Sequence, residues 1–135
     1  MRTKKLEDIS ILMVVPSRVL GAVLSRELGD LGAVKKVCCK NISEALMQMR
    51  EIRPDLVVSS MYFEDGDGIA LVNAMRADSL LENTMFMVVS GETRPEMLEP
   101  MRQAGVVAVL PRPFTSEALS LAISASCPGL VGNNY

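Results

Sequence analysis

The sequence predicts an α/β protein built on one doubly wound parallel sheet, with helices covering both of its faces. Three observations predict it. Short apolar runs alternate with longer amphipathic segments five times along the chain. The connections between them are short, so each strand crosses over through a helix to a parallel neighbour. The apolar runs are continuous in hydrophobicity, as strands buried on both faces require. A chain of 135 residues, 49% of them apolar, suits one domain with one core. That core is expected over residues 10–126, with flexible termini.

The first strand is ILMVV, residues 11–15. Ser17 then stands as a helix N-cap, and Val19, Leu20, Val23, Leu24 and Leu28 follow at helical spacing. Gly29 and Gly32 mark the exit of this helix. Residues 33–39 make a second, weaker strand. Ser43 and Glu44, with Ala45, Leu46 and Met49, begin a second helix that must end before Pro54, because the residue preceding a proline avoids helical geometry. Residues 56–60 form the third strand, and the loop FEDGDG follows it. Ile69, Leu71, Val72 and Met75 mark the third helix, and residues 85–90 the fourth strand. A fourth helical segment lies within residues 94–104, where Pro95 suits a helix start but Pro100 does not suit a helix interior. This helix is expected to start late, near Pro100, or to kink there, with residues 94–99 as loop. Residues 106–110 form the fifth strand, and Ser116 caps a last helix reaching about Ala125, stopped by Pro128 and Gly129. The tail LVGNNY is expected to be disordered. The sheet core is expected to contain Leu12, Val14, Val37, Leu56, Val58, Val88, Val107 and Val109.

Composition removes several functional classes. The net charge is −2, and the pairs Lys4-Lys5 and Lys35-Lys36 are short and read as solvated, so nucleic-acid binding lacks its basic stripe. There is no histidine, which removes Ser-His and Cys-His nucleophiles and most metal sites. No apolar run reaches the roughly 18 residues that span a bilayer, and the charged start MRTKKLEDIS lacks the apolar segment of a signal peptide. A cytoplasmic setting is expected. Cys38, Cys39 and Cys127 are too few and wrongly spaced for a disulfide framework or a zinc site. Glu64, Asp65 and Asp67, flanked by Gly66 and Gly68, are too compressed for a calcium loop and read as a solvated turn before a helix. Of the ten methionines, Met13, Met85 and Met87 on strands and Met47, Met49 and Met75 on helices read as core filler.

Four motifs say more: PDLVV at Pro54, DGDG at Asp65, VVSG at Val88 and AGVVAVLPRPF at Ala104. With them, residues 10–125 resemble response-regulator receiver domains. The resemblance implies a flavodoxin-like sheet of strand order 2-1-3-4-5. It also implies five site positions: an acidic pair after the first strand, a phosphoacceptor aspartate after the third, Thr or Ser after the fourth, and a lysine after the fifth. Here these positions hold Val15 and Pro16, Ser60, Ser90 and Arg112, so only Ser90 keeps the family's residue type. Val109 replaces the family's usual aromatic residue. Valine and proline offer Mg²⁺ no oxygen ligand, and the Ser60 hydroxyl has no base to activate it.

The chain is therefore expected to be a pseudo-receiver: no enzyme, no cofactor, no Mg²⁺, and no nucleic-acid or membrane partner. The resemblance places its partner surface on the fourth helix, fifth strand and fifth helix. Met97, Met101, Arg102, Val109, Arg112, Pro113 and Phe114 lie there, facing a signalling protein or a second copy of the chain. A second reading makes Ser60, Ser90 and Arg112 an anion or small-ligand site. Against it, Arg112 is expected to pair with Glu64, Asp65 or backbone carbonyls and simply fill space, and Ser60 to be a small residue that fits a strand end.

Overall fold

The computed structural model of the chain describes residues 4–92, 94–106, 108–127 and 130–131. The apolar runs form β1 (Ser10–Val14), β2 (Lys35–Cys39), β3 (Leu56–Ser60), β4 (Met85–Val89) and β5 (Ala108–Leu110). These strands pair in parallel in the order β2-β1-β3-β4-β5. The crossovers carry α1 (Arg18–Asp30), α2 (Ile42–Ile52), α3 (Gly68–Ala77) and α4 (Pro95–Gln103), and α5 (Ser116–Ser126) follows β5. The chain runs from β1 outward to β2, then returns past β1 to β3. The carboxyl ends of β1 and β3 therefore flank the switch point, where folds of this kind leave a crevice.

Strand alternation divides the core into two layers. Ile11 and Met13 of β1 pack with Leu24 and Leu28 of α1 and Leu119 and Ile123 of α5. Leu12 and Val14 pack on the other side with Met49 of α2, Leu71 and Met75 of α3, and Met101 of α4. Because both faces are covered, the strands need apolar side chains at every position. Leu12, Val14, Leu56, Val58 and Val88 are fully buried, as the sequence predicts.

Val37 is not; it is 38% exposed. It lies on β2, an edge strand paired only with β1, and Cys39 is the one buried residue of that strand. Val109, near the other edge, is half-buried, and Val107 lies outside the described residues. Met47 is also no core filler, being 64% exposed.

Local capping shifts several boundaries. Ser17 caps α1 as expected, its Oγ accepting from the Leu20 amide at 3.1 Å. Gly32, at a φ of 115°, takes the left-handed conformation in which the chain leaves α1. Asn41, ahead of Ser43, caps α2 by accepting from the Glu44 amide at 2.8 Å. The cap of α5 is Thr115, whose Oγ1 accepts from the Ala118 amide at 3.0 Å. Ser116, expected in that role, instead donates its hydroxyl to Glu27 of α1.

The expected late start of the fourth helix is corrected: α4 begins at Pro95 and continues through Pro100. Pro95 occupies the first turn, where the missing N–H costs nothing. Pro100 deprives the Glu96 carbonyl of a donor, but Glu96 is exposed and water can serve it. The Met97 and Leu98 amides still donate to Arg94 O, and the Ala104 amide to Pro100 O.

The tail expected to be disordered begins as a strand, since Leu130–Val131 pairs in parallel with Lys4–Lys5. Pro128, Gly129 and residues 132–135 lie outside the described residues. Among the described residues, no helix is long and apolar enough to cross a membrane.

Candidate functional site

The FEDGDG segment organises the region beyond the strand tips. Tyr62–Phe63 and Gly66–Asp67 pair as a two-residue antiparallel ladder, closing the loop on itself. Asp67 then caps α3, its Oδ1 accepting from the Ala70 amide at 2.8 Å. Asp65 reaches a different helix: its two oxygens accept from the Ile42 and Ser43 amides of α2 at 3.0 and 3.1 Å. Glu64 accepts from the Asn41 side-chain amide at 3.4 Å. Asp65 and Asp67 thus serve the free N–H groups of two helix starts, where the helix dipole also favours negative charge, and Glu64 holds the side chain of the α2 cap. The reading of a solvated turn before a helix holds, with Glu64 and Asp65 exposed and Asp67 half-buried at its cap, and the expected pairing of Arg112 with Glu64 or Asp65 is corrected.

The Ile42 amide, and then that of Ser43, hold the Asp65 carboxyl below its ordinary value. A carboxyl lowered in the folded state stabilises the fold above its unfolded pKa. That contribution fades as the pH falls through the lowered folded value. Asp65→Asn keeps one of the two acceptor oxygens and cannot titrate. It is expected to make the loss of thermal stability between about pH 5 and pH 3 shallower than in the parent chain. An unchanged acid slope in a melting series would contradict this role for Asp65.

The carboxyl ends of the strands enclose a cavity of about 450 Å³. The turn after β1 contributes Pro16 and Ser17 to its wall, and α1 contributes Leu20. Ser60, at the tip of β3, contributes with Met61 and Tyr62, and Ser90 and Glu92 contribute beyond β4. Arg112, beyond β5, completes it. The structure therefore brings together Pro16, Ser60, Ser90 and Arg112. It does not bring Val15, which is 3% exposed and packs in the α1–α5 layer of the core. Ser90 is buried at 5% exposure, and its Oγ accepts from the Glu92 amide at 3.0 Å.

A polar cluster that the sequence did not single out closes one side of the cavity. The Tyr62 hydroxyl donates to Glu92 Oε1 at 2.7 Å. Arg94 donates to the same carboxylate through Nε and Nη2, both at 2.9 Å. This is the planar two-point pairing that a guanidinium makes with a carboxylate. The Glu92 side chain is only 9% exposed between these partners. Arg94, and then Tyr62, hold its carboxyl well below the usual carboxylate range, and Glu92 in turn pushes the Tyr62 phenol up. An acid and a base two residues apart in a loop read as solvated charges. Only the fold shows that Tyr62 comes back over them.

Glu92 is the one carboxylate in the cavity wall among the described residues. No group of three or more His, Cys, Asp or Glu that could hold a metal ion occurs among them. Burial pushes the thiol of Cys39 up to about 12 and that of Cys127 up to about 11. Neither is therefore a thiolate near neutral pH.

The expected partner surface is only partly a surface. Met101 is fully buried, because it falls on the face of α4 that packs into the α2–α3 layer. Met97 and Val109 are half-buried against the same layer, and Phe114 is half-buried against the other. Arg102, Arg112 and Pro113 are exposed. Arg102 pairs with Glu99 one turn back at 3.4 Å, and the Arg112–Pro113 bond is cis.

Comparison with known proteins agrees with this geometry. The sequence model described as "Response regulator receiver domain" matches residues 11–124. The chemotaxis protein CheY of Pseudomonas aeruginosa is 26% identical over 111 residues, covering 82% of this chain and 90% of that protein. A probable chemotaxis protein CheY of Rhizobium etli is 29% identical over 122 residues, covering 88% and 92%. Among solved structures, CheY4 of Vibrio cholerae superposes with a TM-score of 0.81 at 24% identity, over 87% of this chain and 98% of that one. The signal receiver domain of a histidine kinase from Syntrophus aciditrophicus gives 0.80 at 21% identity, over 90% and 91%. At such identities the structures show a shared fold.

Proposed function

The chain belongs to the response regulator receiver domain family, and we propose that it is a pseudo-receiver, working in two-component signalling through protein contacts that aspartyl phosphorylation does not control. The observation that carries this reading is the cavity wall itself. Ser60 stands at the tip of β3, and Glu92, the one carboxylate of the cavity wall among the described residues, is already held by Arg94 and Tyr62.

Phosphoryl transfer depends on positioning and on a metal that neutralises the developing charge. Mg²⁺ demands hard oxygen ligands in near-octahedral array and gives up its waters reluctantly. Pro16 supplies no side-chain oxygen, and Val15 is in the core. The Ser60 and Ser90 hydroxyls are neutral, and recruiting Glu92 would mean breaking its two-point pair with Arg94. The residues present do not fit the metal, so no phosphoryl step is assigned to them. Because the described residues offer no phosphoacceptor carboxylate, no ligand set for the metal and no activated nucleophile, the proposed role is non-enzymatic.

Partner contact is proposed for the α4–β5–α5 face, through exposed Arg102, Arg112 and Pro113, with a signalling protein or a second copy of the chain on the other side. The proposed setting is the cytoplasm, with neither nucleic acid nor membrane as partner of this domain.

The test uses acetyl phosphate or beryllofluoride with Mg²⁺. Neither is expected to shift the amide resonances of Ser60, Ser90 or Arg112, and intact-mass measurement is expected to show no covalent phosphate. A phosphorylated product, or a metal-dependent shift centred on Ser60, would remove the basis of this reading. A second reading, ligand binding in the same cavity, is favoured by Arg112. It lines the cavity and makes no ion pair or hydrogen bond with another described residue.

A further inference from the structure

We propose that the cavity at the strand tips binds a small organic carboxylate without covalent chemistry, its carboxyl group on Arg112 and the Ser60 and Ser90 hydroxyls, its apolar body against Pro16, Leu20 and Tyr62. This rests on the reading that the cavity no longer takes a phosphoryl group.

Charge points to an anion. Arg112 is exposed into the cavity mouth, with no ionic partner among the described residues. The one carboxylate of the wall is neutralised by Arg94 at 2.9 Å and leaves no free negative charge beside it. Hydroxyl chemistry points the same way. The Ser90 Oγ already accepts from the Glu92 amide, and the Ser17 Oγ from the Leu20 amide. A hydroxyl that accepts from the backbone keeps its O–H free to donate. A cation and hydroxyl donors around one space receive an oxyanion, and the planar fork of a guanidinium matches a carboxylate at two points.

Shape and polarity select an organic anion over inorganic phosphate. The cavity, at about 450 Å³, lies within the range of roughly 300–1,000 Å³ typical of small-molecule sites. Met61 and Val89 are buried in the wall, and its apolar groups open to solvent are Pro16, Leu20 of α1 and the ring of Tyr62. Phosphate would leave these groups wet, whereas a ring or short aliphatic body would cover them. Tyr62 is held in place for this by its hydroxyl, which donates to Glu92 at 2.7 Å.

Benzoate is the probe, titrated into the isotope-labelled full chain without Mg²⁺, alongside benzamide and inorganic phosphate. Benzoate is expected to give saturable amide shifts at Ser60, Gly91 and Arg112, while benzamide, isosteric but neutral, binds at least tenfold more weakly. Arg112→Ala is expected to weaken benzoate about tenfold or more, as loss of a charged hydrogen-bonding partner does. Tyr62→Ala weakens it, and Tyr62→Phe, which keeps the ring, does so less. Arg112 is exposed, so its variant folds, and unchanged amide dispersion checks this. The proposal is overturned by absent or non-saturable benzoate shifts, by phosphate binding as tightly as benzoate, or by Arg112→Ala binding as the parent does. Covalent phosphate from acetyl phosphate would instead overturn the pseudo-receiver reading, and the benzoate titration would still judge the ligand site separately.

Discussion

Ser60→Asp is expected to remain unlabelled by acetyl phosphate in Mg²⁺, whereas the paired variant P16D/S60D is expected to gain both metal binding and labelling. The single change restores a carboxylate at the tip of β3 but leaves it as the only free acid in the cavity. Across the cavity stands Pro16, exposed and without a donor, and Val15 is turned into the core. One carboxylate is a poor claim on an ion that dehydrates reluctantly. Pro16→Asp adds a second at an exposed position, where the new side chain displaces nothing buried. Two acids facing one ion raise Mg²⁺ affinity by on the order of tenfold, about 1.4 kcal/mol, at a partly solvated site. Metal titration followed by amide shifts, with intact-mass measurement after acetyl phosphate, checks both halves. Uptake of phosphate by S60D alone would show that the metal deficit is not what silences this site.

Phe86→Ala carries the largest expected loss of stability. Phe86 lies on β4, between β3 and β5, and is fully buried among the α2–α3–α4 layer. Truncating such a ring removes its transfer free energy and leaves a cavity that the neighbours fill incompletely, at a cost of about 3–5 kcal/mol. Against a total of about 5–15 kcal/mol for a domain, that is about a fifth of the stability or more. Val37→Ala, also a strand apolar residue, is expected to change stability by only about 0.5 kcal/mol, because its side chain is exposed on the edge strand. Urea unfolding of the two variants, with m-values compared to the parent, separates them. Equal losses would mean that the sheet edge is covered by something other than solvent.

The continuous apolar runs and their spacing were enough to read the five strands, the five helices and the parallel sheet. Residues 56–60 form a strand where their run places it, and the strand expected over residues 85–90 ends one residue earlier, at Val89. Errors fell where the decisive partner is distant in sequence. Thr115 and Ser116 are equally good caps by type. Contact of Ser116 with Glu27, far back on α1, leaves the cap to Thr115. Pro100 argues for a broken helix by local rules alone, yet packing of Met101 against the core holds α4 through it. Val37 has the composition of a core strand residue, and only its place in the sheet order exposes it.

The site divides the same way. Loss of oxygen ligands at Val15, Pro16 and Ser60 is a property of side-chain type, and it can be read without any coordinates. The gathering of Pro16, Ser60, Ser90 and Arg112 around one cavity, the turning of Val15 into the core, and the tying of Glu92 by Tyr62 and Arg94 are decided by the fold. Periodicity and residue chemistry act over a few positions of chain, so the sequence carries them openly. Which charge meets which partner depends on where strand ends come together, and parallel crossovers bring them together from far apart along the chain.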